Sequence, residues 1–396
     1  MKAYERSLFS GADDNIFFDV FGHSVSKKDL PELSAIFISK DSTTDIFTPL
    51  NYESFSILIN ADTGTTFESI SDAILSNMQK IEILLYQILL RRNLTRQDLD
   101  TLKYYYWLED QRVDGNISPE NYNKAINKID PSMIGPIIKM INVQAMHNFI
   151  CDELFHAQYR LIDGYNSQCS AIKANAYPPS MGHEIRSFSL YVDNTAFCYQ
   201  DSLKAIFKVL DIFSKWFLYI RDYKALKKKV PQAYFSDFLK EFRQMDGGLL
   251  KLKTEKLCKS LEVFALIRNE ITHNESMQRN RHILYIGRGT PEVNEKDLFY
   301  SIMLFWDHDE HSIDRASGSL GFFTQNLDAL VETRNYFAAT VKLVTAFMEH
   351  FFFAIIDELE KLDVERPLVW FGYPESLQFF SIEDIKKQYN PLAILE

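Results

Sequence analysis

The chain has 396 residues and a mass of 46.2 kDa, long enough for two or three packing units rather than one core. Hydrophobic residues make up 46% and charged residues 24%, which excludes a disordered chain held open by its own charge. A formal net charge of −11 argues against broad coating of nucleic acid and leaves only a local basic patch to hold RNA.

Residues 1–60 read as an irregular segment. The opening MKAYERSLFSGADDN has no apolar run of signal-peptide length, and short apolar runs at 33–39 and 55–59 are candidate strands of a hairpin or edge flap. Helices then take over. Thr65 and Glu68 stand at capping-box spacing, and Phe67, Ile70, Ile74, Met78, Ile81, Leu85 and Ile88 recur at three and four, predicting a helix to about residue 92. Thr95 opens a second helix. Ser118-Pro119-Glu120 opens a third, because proline at the first helical position loses no hydrogen bond. A fourth covers 131–162, with Gly135-Pro136 as its opening or a kink. Residues 61–190 therefore read as an N-terminal helical region, closed by the breakers Pro178, Pro179 and Gly182.

Beyond this boundary, Leu203, Ile206, Phe207, Leu210, Phe213, Phe217 and Ile220 mark a broad apolar helix face. A shorter helix carries Phe235, Phe238 and Phe242, and Gly247-Gly248 precedes a helix over 252–275. An irregular connection over 278–321 leads to a last long helix over 326–362. Four helices of unequal length, with one long excursion before the last, predict a mainly all-α fold with a helical bundle over 191–362. Residues 363–396 form a C-terminal arm with a short helix opened by Ser381 and Asp384. The apolar stretch 337–356 is interrupted by Lys342, Glu349 and His350, which marks a buried helix and not a membrane span. Cys151, Cys169, Cys198 and Cys258 lie far apart with no C-x-x-C pair, the pattern of reduced thiols in a cytoplasmic protein.

The segment LCKSLEVFALIRNEITHNE carries the most function-like residues. Its stripe Leu257, Leu261, Phe264, Arg268, Ile271 puts an arginine where the pattern calls for leucine, a costly placement unless the guanidinium is paired or stands at an opening. His273 follows about 140° around a regular helix and roughly 7.5 Å along it, aligned instead with Asn269 and Glu262 on a polar stripe. A shared site therefore needs a helix that loosens near Thr272, or convergence across a cleft or interface. The residue types suit phosphodiester chemistry. An imidazole can take the proton of a ribose 2′-hydroxyl or return one to the leaving 5′-oxygen. An arginine fork stabilises charge on the phosphoryl oxygens, and Asn269 is placed to orient the phosphate or the imidazole. RNA supplies its own nucleophile, so this chemistry needs no metal and no cofactor.

The run Arg268-Asn269-Glu270-Ile271-Thr272-His273 resembles the motif of the HEPN superfamily, in which an arginine, often followed by a polar residue, precedes a histidine with four to six residues between them. The similarity covers about residues 195–362. It implies an up-and-down four-helix bundle, a homodimer through the C-terminal bundle, and a metal-independent endoribonuclease of a toxin, antiphage or RNA-processing system. Arg268, Asn269 and His273 would be its active residues, in a composite cleft between two subunits. Arg279, Arg281, His282 and Arg288 are candidate contacts to the RNA backbone, and Lys224, Lys227, Lys228 and Lys229 form a second patch. A cognate antitoxin or regulatory protein is a further expected partner. The alternative is a non-catalytic module for dimerisation or for binding RNA or protein, in which Arg268 is salt-bridged inside the bundle and His273 caps a helix C-terminus.

Rival constellations are weaker. Trp306-Asp307-His308-Asp309-Glu310-His311 has metal-ligand types, but Ser312, Asp314 and Gly318 beside it point to an exposed polar loop. Glu153 and His156 share a helix face. His147 is out of phase with them and no second Glu-x-x-His pair exists, so packing and surface roles are expected for this group. Glu349-His350 reads as an internal polar contact. Ile286-Gly287-Arg288-Gly289-Thr290 fits neither glycine-rich nucleotide motif, and no G-x-S-x-G elbow occurs.

Overall fold

A computed structural model describes residues 70–93, 96–129, 131–174, 184–186, 190–223, 226, 229–274, 283–288, 298–301, 312, 329–361, 368–371 and 377–389, with short strands at 16–18, 24–26 and 37–38. Helices dominate: α1 (Ile70–Asn93), α2 (Arg96–Val113), α3 (Pro119–Ile126), α4 (Pro131–Ala174), α5 (Leu190–Ile220), α6 (Phe235–Gln244), α7 (Leu249–Asn274), α8 (Ala329–Lys361) and α9 (Ile382–Gln388). The fold is mainly α-helical, as the three-four spacing of apolar residues predicts.

Local chemistry sets the helix ends. Ser118 Oγ accepts from the Asn121 amide, with Pro119 in the first turn of α3. Ser381 and Asp384 close a reciprocal capping box on α9. Between α2 and α3 the chain turns through Gly115 at φ 71°, a backbone shape that favours glycine. Glu109 then clasps the two helices: its carboxylate accepts from Tyr105 (3.1 Å), from Tyr122, and from Arg112 Nε (2.9 Å). Thr65 and Glu68 lie outside the described residues.

The most extensive packing joins α4 and α5, which run antiparallel in constant register. Asn194 donates to Ser167, Cys198 to Asp163, Ser202 to the Ala157 carbonyl, Lys208 to Glu153 and Trp216 to His147, while Asn142 donates to Tyr219. Gly164 makes the close approach in this seam: a Cβ there would stand 2.6 Å from the Tyr199 ring. Because Leu161, Ile162, Tyr165 and Ser167 stay buried, α4 continues to residue 174 rather than ending near 162, and it passes through Gly135 and Pro136 without a break. The expected boundary near residue 190 falls at the connection between α4 and α5, and a single hydrophobic cluster crosses it, from Ile70 on α1 to Tyr389 beyond α9.

The core is built from rings. Phe213 and Phe217 on α5, Phe238 on α6 and Phe347 on α8 meet at centroid distances of 5.1–5.6 Å, mostly edge to face. Helix α8 is long and apolar enough to cross a membrane by length and composition, yet most of that stretch is buried against α1, α5 and α7. Its role in this fold is that of the central core helix.

Short strands accompany the helices. β1 (Ile16–Phe18) pairs with β2 (Ser24–Ser26), and β7 (Leu368–Phe371) with β8 (Leu377–Phe380). An antiparallel sheet has the order β3 (Phe37–Ile38), β6 (Leu298–Ser301), β5 (Ile283–Arg288), β4 (Glu184–Arg186). The connection expected to be irregular over 278–321 thus contains β5 and β6. Their apolar runs are too short for periodicity to separate from loop. The candidate strand at 33–39 contains β3, and that at 55–59 lies outside the described residues.

Candidate functional site

Helix α7 is α-helical without interruption to Asn274, so it does not loosen near Thr272. Its first turns bury Thr254, Cys258 and Leu261; further on Val263, Phe264 and Ile267 are buried. The buried face therefore rotates along the helix. Ile267 takes the core position at the turn where the sequence stripe reaches Arg268, and Arg268 is left half-buried at the edge of the seam.

There the guanidinium has two neighbours, Asn269 and Phe207. Its Nη1 donates to Asn269 Oδ1 at 3.1 Å, and its Cζ stands 4.4 Å from the centroid of the Phe207 ring on α5. Phe207 meets Phe264 edge to face at 5.9 Å, and Phe264 stacks on Tyr336 of α8 at 4.5 Å. One turn beyond Phe207, Asp211 Oδ1 accepts the Phe235 amide at 3.0 Å, at the start of α6. Burial raises the Asp211 carboxyl above its ordinary value, against the downward pull of that amide and of the Arg268 and Lys215 charges. None of the ion pairs among the described residues takes up Arg268. Among the described residues, an aromatic face stands against its charge.

Of the expected site residues, Arg268 and Asn269 are brought together, with Asn269 exposed. His273 lies in the last turn of α7, and its side chain is outside the described residues. Arg279, Arg281, His282, Lys224, Lys227, Lys228 and the 306–311 run are also outside them. Arg288 ends β5 opposite Leu298, and Lys229 is exposed. Glu262, on the polar stripe of Asn269, pairs with Arg243 at 2.5 Å.

A second polar group lies inside the bundle. His147 Nδ1 is 2.5 Å from Glu82 Oε1, and Trp216 Nε1 is 2.7 Å from His147 Nε2. An indole N–H only donates, so Nε2 accepts and the ring proton sits on Nδ1, which donates to the carboxylate. With both ring nitrogens engaged and His147 fully buried, this group ties α1, α4 and α5 together and presents nothing to a ligand. Sequence reasoning found His147 but missed Glu82 and Trp216, which come from helices distant in the chain. Glu153 pairs with Lys208 at 3.2 Å, and His156 is exposed. No cluster of His, Cys, Asp and Glu suited to a metal occurs among the described residues.

The described cysteines are free and buried. Burial pushes the thiols of Cys198 and Cys258 up to about 12, and that of Cys151 higher still, so all three are protonated at neutral pH. Comparison of the chain with models of known protein families, with curated proteins and with solved structures finds no match.

Proposed function

We propose that the chain is a HEPN-like, metal-independent endoribonuclease whose active cleft is completed by a second copy, acting in a toxin, defence or RNA-processing role. The observation that carries this reading is the state of Arg268. It is half-open, held over an aromatic face and hydrogen-bonded to Asn269, with no carboxylate pairing to neutralise it among the described residues. A guanidinium so placed retains its charge for a phosphoryl group.

Helix geometry supports a second copy. In a regular α7, His273 stands about 140° around the axis from Arg268, so the two do not share one face of one helix. By phase His273 joins the stripe of Glu262, Leu266 and Asn269, where Leu266 is 40% exposed, an apolar side chain suited to a contact between copies. Across such a contact, Arg268 of one copy and His273 of the other flank one phosphodiester. His273 takes the 2′-hydroxyl proton, the 2′-oxygen attacks phosphorus, and the 5′-oxygen leaves with a proton from the other copy's imidazole. The products are a 2′,3′-cyclic phosphate and a 5′-hydroxyl. Arg268 offsets the charge on the non-bridging oxygens, and Asn269 orients the guanidinium.

The net charge of −11 favours the second reading, a non-catalytic dimerisation or interaction module. One assay separates the two. Purified protein incubated with a mixed RNA pool in EDTA is expected to cleave it, and Arg268→Ala and His273→Ala are each expected to lower the rate at least about a hundredfold with helicity intact. An unchanged rate in His273→Ala would rule out the assigned site.

A further inference from the structure

We propose that Phe207 is a positioning residue for Arg268: its ring face fixes the plane of the guanidinium without neutralising it, and Phe264 and Tyr336 fix the ring from behind. The inference rests on the reading of Arg268 as the phosphate-binding group.

A long, flexible side chain at a helix surface must be anchored to present a fixed fork. A carboxylate partner would anchor it but would compete with a phosphate for the same N–H groups. An aromatic face anchors the cation through the ring quadrupole and leaves the in-plane N–H groups free to donate. The geometry is of this second kind, with Cζ 4.4 Å from the Phe207 centroid. Asp211, an acid within electrostatic reach of Arg268, has Oδ1 occupied by the Phe235 amide. Phe207 is nearly buried and Phe264 fully so, and the stack of Phe207, Phe264 and Tyr336 draws one ring from each of α5, α7 and α8. The position of the guanidinium is thereby tied to the packing of three bundle helices. An aliphatic side chain at 207 would fill the space and lose the anchor, whereas tyrosine would keep it.

The test compares Phe207→Leu and Phe207→Tyr in the full-length protein, using RNA cleavage in EDTA with kcat and KM measured separately. Urea unfolding and circular dichroism serve as controls on folding, and each variant is also made in the Arg268→Ala background. Phe207→Leu is expected to lower kcat about tenfold with KM nearly unchanged, Phe207→Tyr to restore the wild-type rate, and Phe207→Leu to have no further effect once Arg268 is alanine. Phe207→Met replaces Phe207→Leu if the latter does not fold. If Arg268→Ala is inactive while Phe207→Leu keeps the wild-type kcat, or if the two losses simply multiply, the positioning role is overturned and the ribonuclease reading survives. If the wild type does not cleave RNA, or Arg268→Ala cleaves normally, both are overturned.

Discussion

His147 and Arg268 bring polar chemistry to a ring-built interior in opposite ways. His147 is closed off: Trp216 fills one ring nitrogen and Glu82 the other, all three buried. Arg268 is propped open on Phe207 at the edge of the same core. The closed group makes a stability prediction. Trp216→Phe keeps most of the ring volume but leaves His147 Nε2 buried without its donor. It should lower the unfolding free energy by about 1–3 kcal/mol in urea titrations, and a loss below about 0.5 kcal/mol would show that the bond contributes little. Legibility in the sequence divides along the same line. Arg268 and Asn269 are adjacent, so their motif is readable from one segment. Phe207, Asp211 and Tyr336 join them only through packing, and Glu82 and Trp216 lie 65 and 69 residues from His147, beyond any local pattern.

Among the elements, α2 and α3 share the Glu109 carboxylate, which makes their junction pH-sensitive. Burial alone would raise Glu109, but hydrogen bonds from Tyr122, Arg112 and Tyr105 outweigh it and hold the carboxyl below its ordinary value of 4.5. A carboxyl depressed on folding contributes stability that is present above its unfolded pKa and is lost as pH falls through the folded one. Tyr122→Phe should therefore reduce stability at pH 7 by about 1 kcal/mol, and the gap between variant and wild type should narrow as pH falls below about 4. Denaturant midpoints across pH 3–8 would read this, and a gap independent of pH would contradict it. The phenol of Tyr122, raised to about 12, remains protonated throughout that range. The helices themselves were largely legible, since the three-four period and the caps at Ser118 and Ser381 are local signals. What the period did not reveal was the extra length of α4, which depends on burial against α5, or the strands β5 and β6, whose pairing is a matter of distant neighbours.

At the scale of the whole molecule, α8 is the apolar centre on which α1, α5 and α7 pack, and the candidate site lies on the rim of that packing, where α7 meets α5. One copy of the chain places Arg268 over Phe207 and leaves Leu266 and Asn269 exposed on α7; in the proposed function a second copy supplies the remaining half of the cleft. The most direct measurement uses a short RNA containing a mapped cut site, incubated with the purified protein in EDTA beside the same RNA carrying a single 2′-deoxy nucleotide on the 5′ side of the cut. The account predicts that the unmodified RNA is cut to a 2′,3′-cyclic phosphate and a 5′-hydroxyl while the deoxy RNA stays intact. Cleavage of the deoxy RNA, a requirement for added metal, or no cleavage of either RNA would contradict it.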